Sequence, residues 1–367
     1  MATEPLATSD LAIAPGEYLA EVLVELGLNQ AELAQRMDRP VQAISEIVSG
    51  NKSIVPETAL QLERVTGVPA HIWAGLEADY RLILARQQDE KQIEDQTGLV
   101  KEFPYSDLAK LGLVAATRDS VTRVRELCRF FGVVSLRQIA MVNDYAPAFR
   151  AGAGAASANA LAAWLRMATL QAVGTETASL DRKQLQEIVP LLRDLTRAEP
   201  ESFLPAVKEL LAKQGIVLVV QPHLPKTFVH GATFWLSPDK AVIVMTLRGS
   251  WADVFWFSFF HELGHVLKHG KREVFLEDGK FKRERAELEA EADAFACDTL
   301  IPPSDYAGFL ARTDLSGGSI RRFADEIGIA PGIVTGRLQH DKRVPPNFHA
   351  HRVRYKWAKY RRHRFKA

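Results

Sequence analysis

His261, Glu262 and His265 stand in the order His-Glu-x-x-His, inside the run Phe259-Phe260-His261-Glu262-Leu263-Gly264-His265-Val266-Leu267. Residues four apart lie on one face of an α-helix. On a helix, the two imidazoles therefore reach one divalent cation together. Zinc suits two imidazoles plus an open coordination position. Glu262 then points toward that open position, where a carboxylate can take a proton from water as general base. The chemistry implied is metal-assisted hydrolysis, with zinc lowering the pKa of a water to about 7. The bland alternative is a buried helix whose histidines are satisfied by hydrogen bonds.

A third ligand is required, carboxylate or imidazole. Downstream lies Glu287-Leu288-Glu289-Ala290-Glu291-Ala292-Asp293-Ala294-Phe295-Ala296, a second helical run. Glu289 and Asp293 are four apart and share a face. That suits one carboxylate on the metal and a second orienting a histidine from behind. Glu289 is the expected ligand and Asp293 the expected outer partner. Glu291 lies about 160–200° round the helix from its neighbours, and remains the alternative ligand. His269 follows His265 by four residues. On an unbroken helix it stands about 12 Å from His261, too far to share an ion, so it is not expected to be a ligand.

Strands and helices must hold these groups. Ile216–Gln221 is a β-branched run that reads as a strand, and Thr233–Leu236 and Ala241–Thr246 are two more. A helix is expected to start at Asp253. The C-terminal part is thus α+β, a small sheet with helices against it. Residues 105–200 read as mostly helical and carry no visible chemistry, with a small-residue run over Ala151–Ala163.

The N-terminal residues read as five short helices. Pro15 opens the first. Asn29 and Glu32 form a capping-box pattern for the second, with Leu33 and Met37 facing inward. The third spans Val41–Val48 and Gly50 suits a left-handed cap. Pro56 opens the fourth, with Leu60, Leu62 and Val65 as its apolar positions. The fifth runs from Ala70 to about Ala85. The polar stretch Arg86–Gln96 is either a linker or the solvated end of that helix.

At 367 residues, with 47% hydrophobic and 25% charged residues, the chain is long enough for two or three domains with real cores. The net charge of +1 names no partner, but its distribution is uneven. Residues 1–85 hold twelve acids and five Lys/Arg, whereas from Lys342 onward there are ten Lys/Arg and no acid. Two cysteines, Cys128 and Cys297, exclude a disulfide framework. There is no secretory signal pattern, and the most apolar stretch, Val254–Phe260, is too short to span a bilayer. A cytoplasmic location and no membrane partner are expected.

Taken together, FWFSFFHELGHVLKHG, ELEAEADAFACDTLIPP and IAPGIVTGRLQHDKRVPPN resemble the ImmA/IrrE family of zinc metallopeptidases, over roughly Phe203–Tyr355. The resemblance implies a minimal gluzincin-like core and a Zn2+ site of two histidines and one glutamate. It also implies endoproteolysis of one partner protein, such as a repressor, in a stress, mobile-element or toxin–antitoxin response. LNQAELAQRMDRPVQAISEIVSGNKSIVPETALQLERVTGV resembles the HigA-type antitoxin branch of the Xre helix-turn-helix family. That implies operator DNA as a partner and a homodimer. Helix Val41–Val48 would enter the major groove, with Arg39, Gln42, Ala43 and Ser45 near bases and Asn51 and Lys52 at phosphates. The acidic balance of this segment is a poor footprint for DNA, so a protein-holding role or a plain helical scaffold stays open.

The expected architecture is multi-domain and mainly α. It comprises a helix-turn-helix domain (1–85), a helical middle region (86–200), a metallopeptidase domain with a small sheet (201–340) and a basic aromatic tail (341–367). In the tail, Tyr355, Trp357, Tyr360 and Phe365 alternate with Arg and Lys. Such a pattern either binds nucleic acid or lies over its own domain. His230 and Tyr306 are candidates for an oxyanion-stabilising role. The competing function is an antitoxin-like repressor whose peptidase fold senses or binds a partner without turnover.

Overall fold

The computed structural model describes residues 12–142, 157–246, 251–269, 275–276 and 286–355. The chain divides into two compact units, with the break between Gln96 and Thr97.

The first unit is five helices: α1 (Pro15–Glu25), α2 (Gln30–Arg36), α3 (Val41–Val48), α4 (Pro56–Thr66) and α5 (Ala70–Glu94). Asn29 caps α2, accepting from the Glu32 backbone N–H while the Glu32 carboxylate accepts from Asn29 N–H. That reciprocal pair satisfies two donors that a helix start leaves open. Leu19, Leu33, Ile44, Leu62 and Trp73 are fully buried and form the core. One expected core position is not in it. Leu60 is 49% exposed, because α4 turns Ala59 and Leu62 inward instead. The polar stretch from Arg86 is helix, since α5 continues to Glu94.

The second unit is α+β. Its sheet has the order β1-β3-β2-β4, with β1 (Ile216–Gln221), β2 (Gly231–Ser237), β3 (Lys240–Thr246) and β4 (Phe275–Leu276). β1 runs parallel to β3; β2 is antiparallel to β3 and β4. β1 and β3 are buried along nearly their whole length, which explains their near-continuous Val/Ile runs. Helix Ala158–Val173 is buried over most of Ala160–Ala168 and is tied to β1: Gln221 Nε2 donates to the Trp164 carbonyl at 2.8 Å, and Gln171 Nε2 donates to Gln221 Oε1 at 2.8 Å. Part of the helical middle of the chain therefore packs in the same unit as the sheet.

The motif lies on helix Ala252–Lys268, which is buried through most of its length. Trp256, Phe259 and Phe260 are fully buried in a core shared with Phe203, Phe309 and Phe323. Trp256 Nε1 donates to the Tyr355 hydroxyl at 2.8 Å. Arg352 holds Asp253, in the first turn of that helix, through two bonds of 2.8 and 3.1 Å. The first part of the basic tail thus lies on its own domain; Trp357, Tyr360 and Phe365 lie outside the described residues. The acidic helix Ala286–Leu300 packs along the motif helix. Gly264 faces Ala292, and Ala292 and Ala296 are fully buried. These small residues let the two helices approach closely. No helix among the described residues is long and apolar enough to cross a membrane.

Candidate metal centre

Helical spacing brings His261 and His265 together, and the neighbouring helix adds Glu289. The two Nε2 atoms are 3.0 Å apart. Glu289 Oε2 lies 3.1 Å from His261 Nε2 and 3.5 Å from His265 Nε2. Three ligands held about 2 Å from one tetrahedral centre are separated by about 3.3 Å. The observed edges match that figure.

The outer partners decide what these atoms carry. Asp293 Oδ1 lies 2.8 Å from His261 Nδ1. A carboxylate only accepts, so His261 Nδ1 bears the proton and Nε2 presents a lone pair. Glu291 Oε2 lies 3.1 Å from His269 Nε2, and His269 Nδ1 lies 2.8 Å from His265 Nδ1. In the neutral tautomers, His269 donates to Glu291 and accepts from His265 Nδ1–H. His265 Nε2 is then also a bare lone pair. In those tautomers two imidazole lone pairs and a carboxylate oxygen converge. A bound metal ion relieves that arrangement; in its absence a proton held between a histidine nitrogen and Glu289 does. Glu289 Oε1 is in addition a buried oxygen with no hydrogen-bond partner among the described residues. The donor set, two nitrogens and a carboxylate, fits zinc.

Electrostatics favour an uncharged His265 and an ionised Glu289. Burial holds the His265 imidazole below its ordinary value, against the opposing pull of Glu289. Burial alone would raise the Glu289 carboxyl, but hydrogen bonds from His261 and His265 outweigh it and hold Glu289 down to about 2.

Glu262 is fully buried beside this trio. Its Oε2 accepts from the Thr233 hydroxyl at 2.6 Å. Gly231, at the head of β2, lies against the same carboxylate: a Cβ there would come within 2.7 Å of Glu262 Oε1. Strand β2 thus cradles the general-base candidate with a hydroxyl and a missing side chain. Neither Thr233 nor Gly231 stood out in the sequence, because they lie about 30 residues away on a strand of ordinary composition.

The remaining candidates fall as follows. Glu291 stands off the trio and bonds His269. His269 closes the helix in extended backbone (φ −107°, ψ 167°), which swings its ring behind His265 instead of placing it a turn further along. The spacing His265-x-x-x-His269 was the available signal for this role. Tyr306 donates its hydroxyl to Asp341 at 2.9 Å and packs under Arg337, so that hydroxyl is already committed. His230 lines a cavity together with Phe257 and Cys297.

In the first unit, Gln42 and Ser45 are exposed on α3. Gln42 Nε2 donates to Glu46 at 3.0 Å. Ala43 is 8% exposed and points inward with Ile44 and Ile47, so the structure does not bring it to the surface that would face bases. Arg39 Nε donates to Gln61 Oε1 at 2.7 Å. Asn51 Nδ2 donates to the Ser49 hydroxyl at 3.0 Å, and Lys52 Nζ lies 3.8 Å from Glu46 Oε2.

Comparison with known proteins matches the two segments separately. Residues 252–353 match the IrrE N-terminal-like domain of the M78 peptidases, and residues 19–73 match a helix-turn-helix family. The chain is 40% identical over 72 residues to virulence-associated protein A of Dichelobacter nodosus, covering 18% of this chain and 69% of that protein. It is 37% identical over 83 residues to virulence-associated protein I of the same organism, covering 22% of this chain and 76% of that protein. Among solved structures, a HigA-family addiction module antidote protein from Coxiella burnetii shares 32% identity over 23% of this chain and 94% of its own, with a TM-score of 0.22. Along one polypeptide, the chain thus carries an N-terminal helix-turn-helix segment followed by a segment that matches the IrrE-like domain of the M78 peptidases.

Proposed function

We propose that the second unit is a zinc-dependent endopeptidase that cleaves a regulatory protein, and that the helix-turn-helix unit binds operator DNA. The convergence of His261 Nε2, His265 Nε2 and Glu289 Oε2, three ligand atoms within 3.5 Å of one another, carries the reading. His261, His265 and Glu289 would hold the ion. When bound, zinc supplies Lewis acidity toward a scissile carbonyl and makes a water easier to deprotonate.

The chain's own residues do the rest. Asp293, and the His269–Glu291 pair, keep the two imidazoles in the metal-binding tautomer and orientation. Glu262 takes the proton of the attacking water and returns it to the leaving amine. Thr233 holds the Glu262 carboxylate in place for both transfers. On α3, Gln42 and Ser45 are exposed and would read bases, and Asn51 and Lys52 would contact phosphates. A homodimer on a two-fold operator fits that mode of binding.

The test pairs the full chain with the proteins encoded beside it. The wild type is expected to retain zinc and to cut one of them at a defined bond, read by mass spectrometry. Glu262→Gln is expected to retain zinc and to cut none. A wild type that carries no zinc at neutral pH overturns the proposal.

A further inference from the structure

A cavity of about 230 Å3 lies between the motif helix, the acidic helix and helix Pro331–His340. Three of its lining residues adjoin residues of the metal centre. The Phe257 ring is 6.3 Å, centroid to centroid, from the His261 ring. Cys297 lies one turn beyond Asp293, the partner of His261. His230 precedes Gly231, whose Cα lies against the Glu262 carboxylate. The cavity therefore lies within about one helical turn of His261 along the motif helix.

Its size and walls define an occupant. The volume is below the roughly 300–1,000 Å3 of pockets that enclose a whole drug-sized ligand, and suits one side chain. Val254, Phe257, Leu300, Ile301 and Ile333 give it apolar walls. The charged groups on the lining are already neutralised within the protein. Asp253 is held by Arg352 at 2.8 Å, Arg337 by Asp341 at 2.8 Å, and His340 lies 3.0 Å from the same Asp341. Gly336 packs directly on Asp253, where a Cβ would meet Oδ2 at 2.3 Å, so helix Pro331–His340 seals that side. Burial pushes the Cys297 thiol up, and it faces the cavity as a neutral group. A charged side chain entering here would lose its hydration without gaining a partner. An apolar one would lose only unfavourable contact with water.

We propose that this cavity is the specificity pocket of the peptidase site, and that it takes one uncharged apolar side chain, of leucine to phenylalanine size, adjoining the scissile bond. The proposal rests on the metal-centre reading above. It makes the substrate a protein segment with a bulky apolar residue at the cut.

The probes are N-acetyl amino-acid hydroxamates, which share one metal-chelating group and differ only in side chain: glycyl, leucyl, phenylalanyl, lysyl and aspartyl. Binding to the zinc-loaded full-length protein is measured by calorimetry. The leucyl and phenylalanyl compounds are expected to bind about tenfold or more tightly than the glycyl one, the gain for burying a side chain of that size. In Val254→Phe and Cys297→Leu, each of which fills the cavity from a different helix, that ratio is expected to fall toward one. Zinc content and thermal midpoint report whether each variant has folded. Equal binding of glycyl, leucyl and phenylalanyl compounds to the wild type, or tightest binding of a charged member, overturns the pocket while leaving the metal centre standing. No binding by any member, the glycyl one included, overturns the metal-centre reading itself and the pocket with it.

Discussion

The Thr233 hydroxyl donates to Glu262 Oε2 across 2.6 Å, and both residues are fully buried. A strand residue thereby aims the carboxylate of a helix residue 29 positions later. Thr233→Val keeps the shape and removes the donor. A hydrogen bond to a charged group contributes about 1.5–3 kcal/mol, so turnover is expected to fall roughly tenfold to a hundredfold. Zinc content should not change, because Thr233 touches no ligand of the trio. Steady-state cleavage rates and metal analysis on the same preparation check both halves.

The outer partners of the histidines affect metal affinity more directly. His269→Ala removes the acceptor for His265 Nδ1–H, and Asp293→Asn removes the carboxylate that sets the His261 tautomer. Each is expected to weaken zinc binding about 10- to 100-fold, measured by competition with a chromophoric chelator. Glu291→Gln should have a smaller effect, since it acts on His265 only through His269. An unchanged zinc affinity in His269→Ala would show that the histidine pair is incidental.

The metal-free protein should lose stability in two steps on acidification. His265 has a folded value below its ordinary 6.5, so the unfolded chain binds the proton more readily. Its contribution is complete above pH 6.5 and is lost as pH falls below that value. Glu289 is held near 2 against an ordinary 4.5. Its contribution is complete above pH 4.5 and is lost between 4.5 and about 2. Both terms therefore have the same sign. Urea midpoints in the presence of a chelator at pH 7.5, 5.5 and 3.5 should fall in that order. Glu289→Gln should flatten the fall below pH 4.5.

On α3, exposure separates base-reading candidates from core residues. Gln42→Ala and Ser45→Ala are each expected to weaken binding to the chain's own promoter by about 1–3 kcal/mol if that residue contacts a base, with little change in thermal midpoint. Ile44→Ala, at a fully buried position, is expected to cost about 2–5 kcal/mol of stability. Gel-shift and thermal melts on the same variants distinguish the two effects. Equal DNA affinity across Gln42→Ala, Ser45→Ala and wild type would favour the protein-holding role.

What was legible in the sequence was local. Four-residue spacing on one helix assembled His261 and His265, and the same periodicity on the next helix separated Glu289 and Asp293 from Glu291. Asn29 and Glu32 announced the start of α2 because a capping box is a contact within four residues. What was not legible was set by packing between distant segments or by where a helix stops. His269 is outside the ligand trio, as expected, but its place behind His265 follows from the helix ending at Lys268. Thr233 and Gly231 reach Glu262 through the placement of β2, which no spacing encodes. Ala43 was assigned by its place in the family's recognition helix, yet it is too small to reveal that it shares the buried face of Ile44 and Ile47. Leu60 shows the converse, an apolar residue that helical spacing alone could not keep out of the core.

The central claim is that His261, His265 and Glu289 surround one metal ion. X-ray absorption at the zinc edge, on full-length protein purified at neutral pH without added metal, tests it most directly. The account predicts about one zinc per chain, with two imidazole nitrogens and oxygen ligands near 2 Å. Absence of zinc, or a coordination shell lacking both imidazoles, would contradict it.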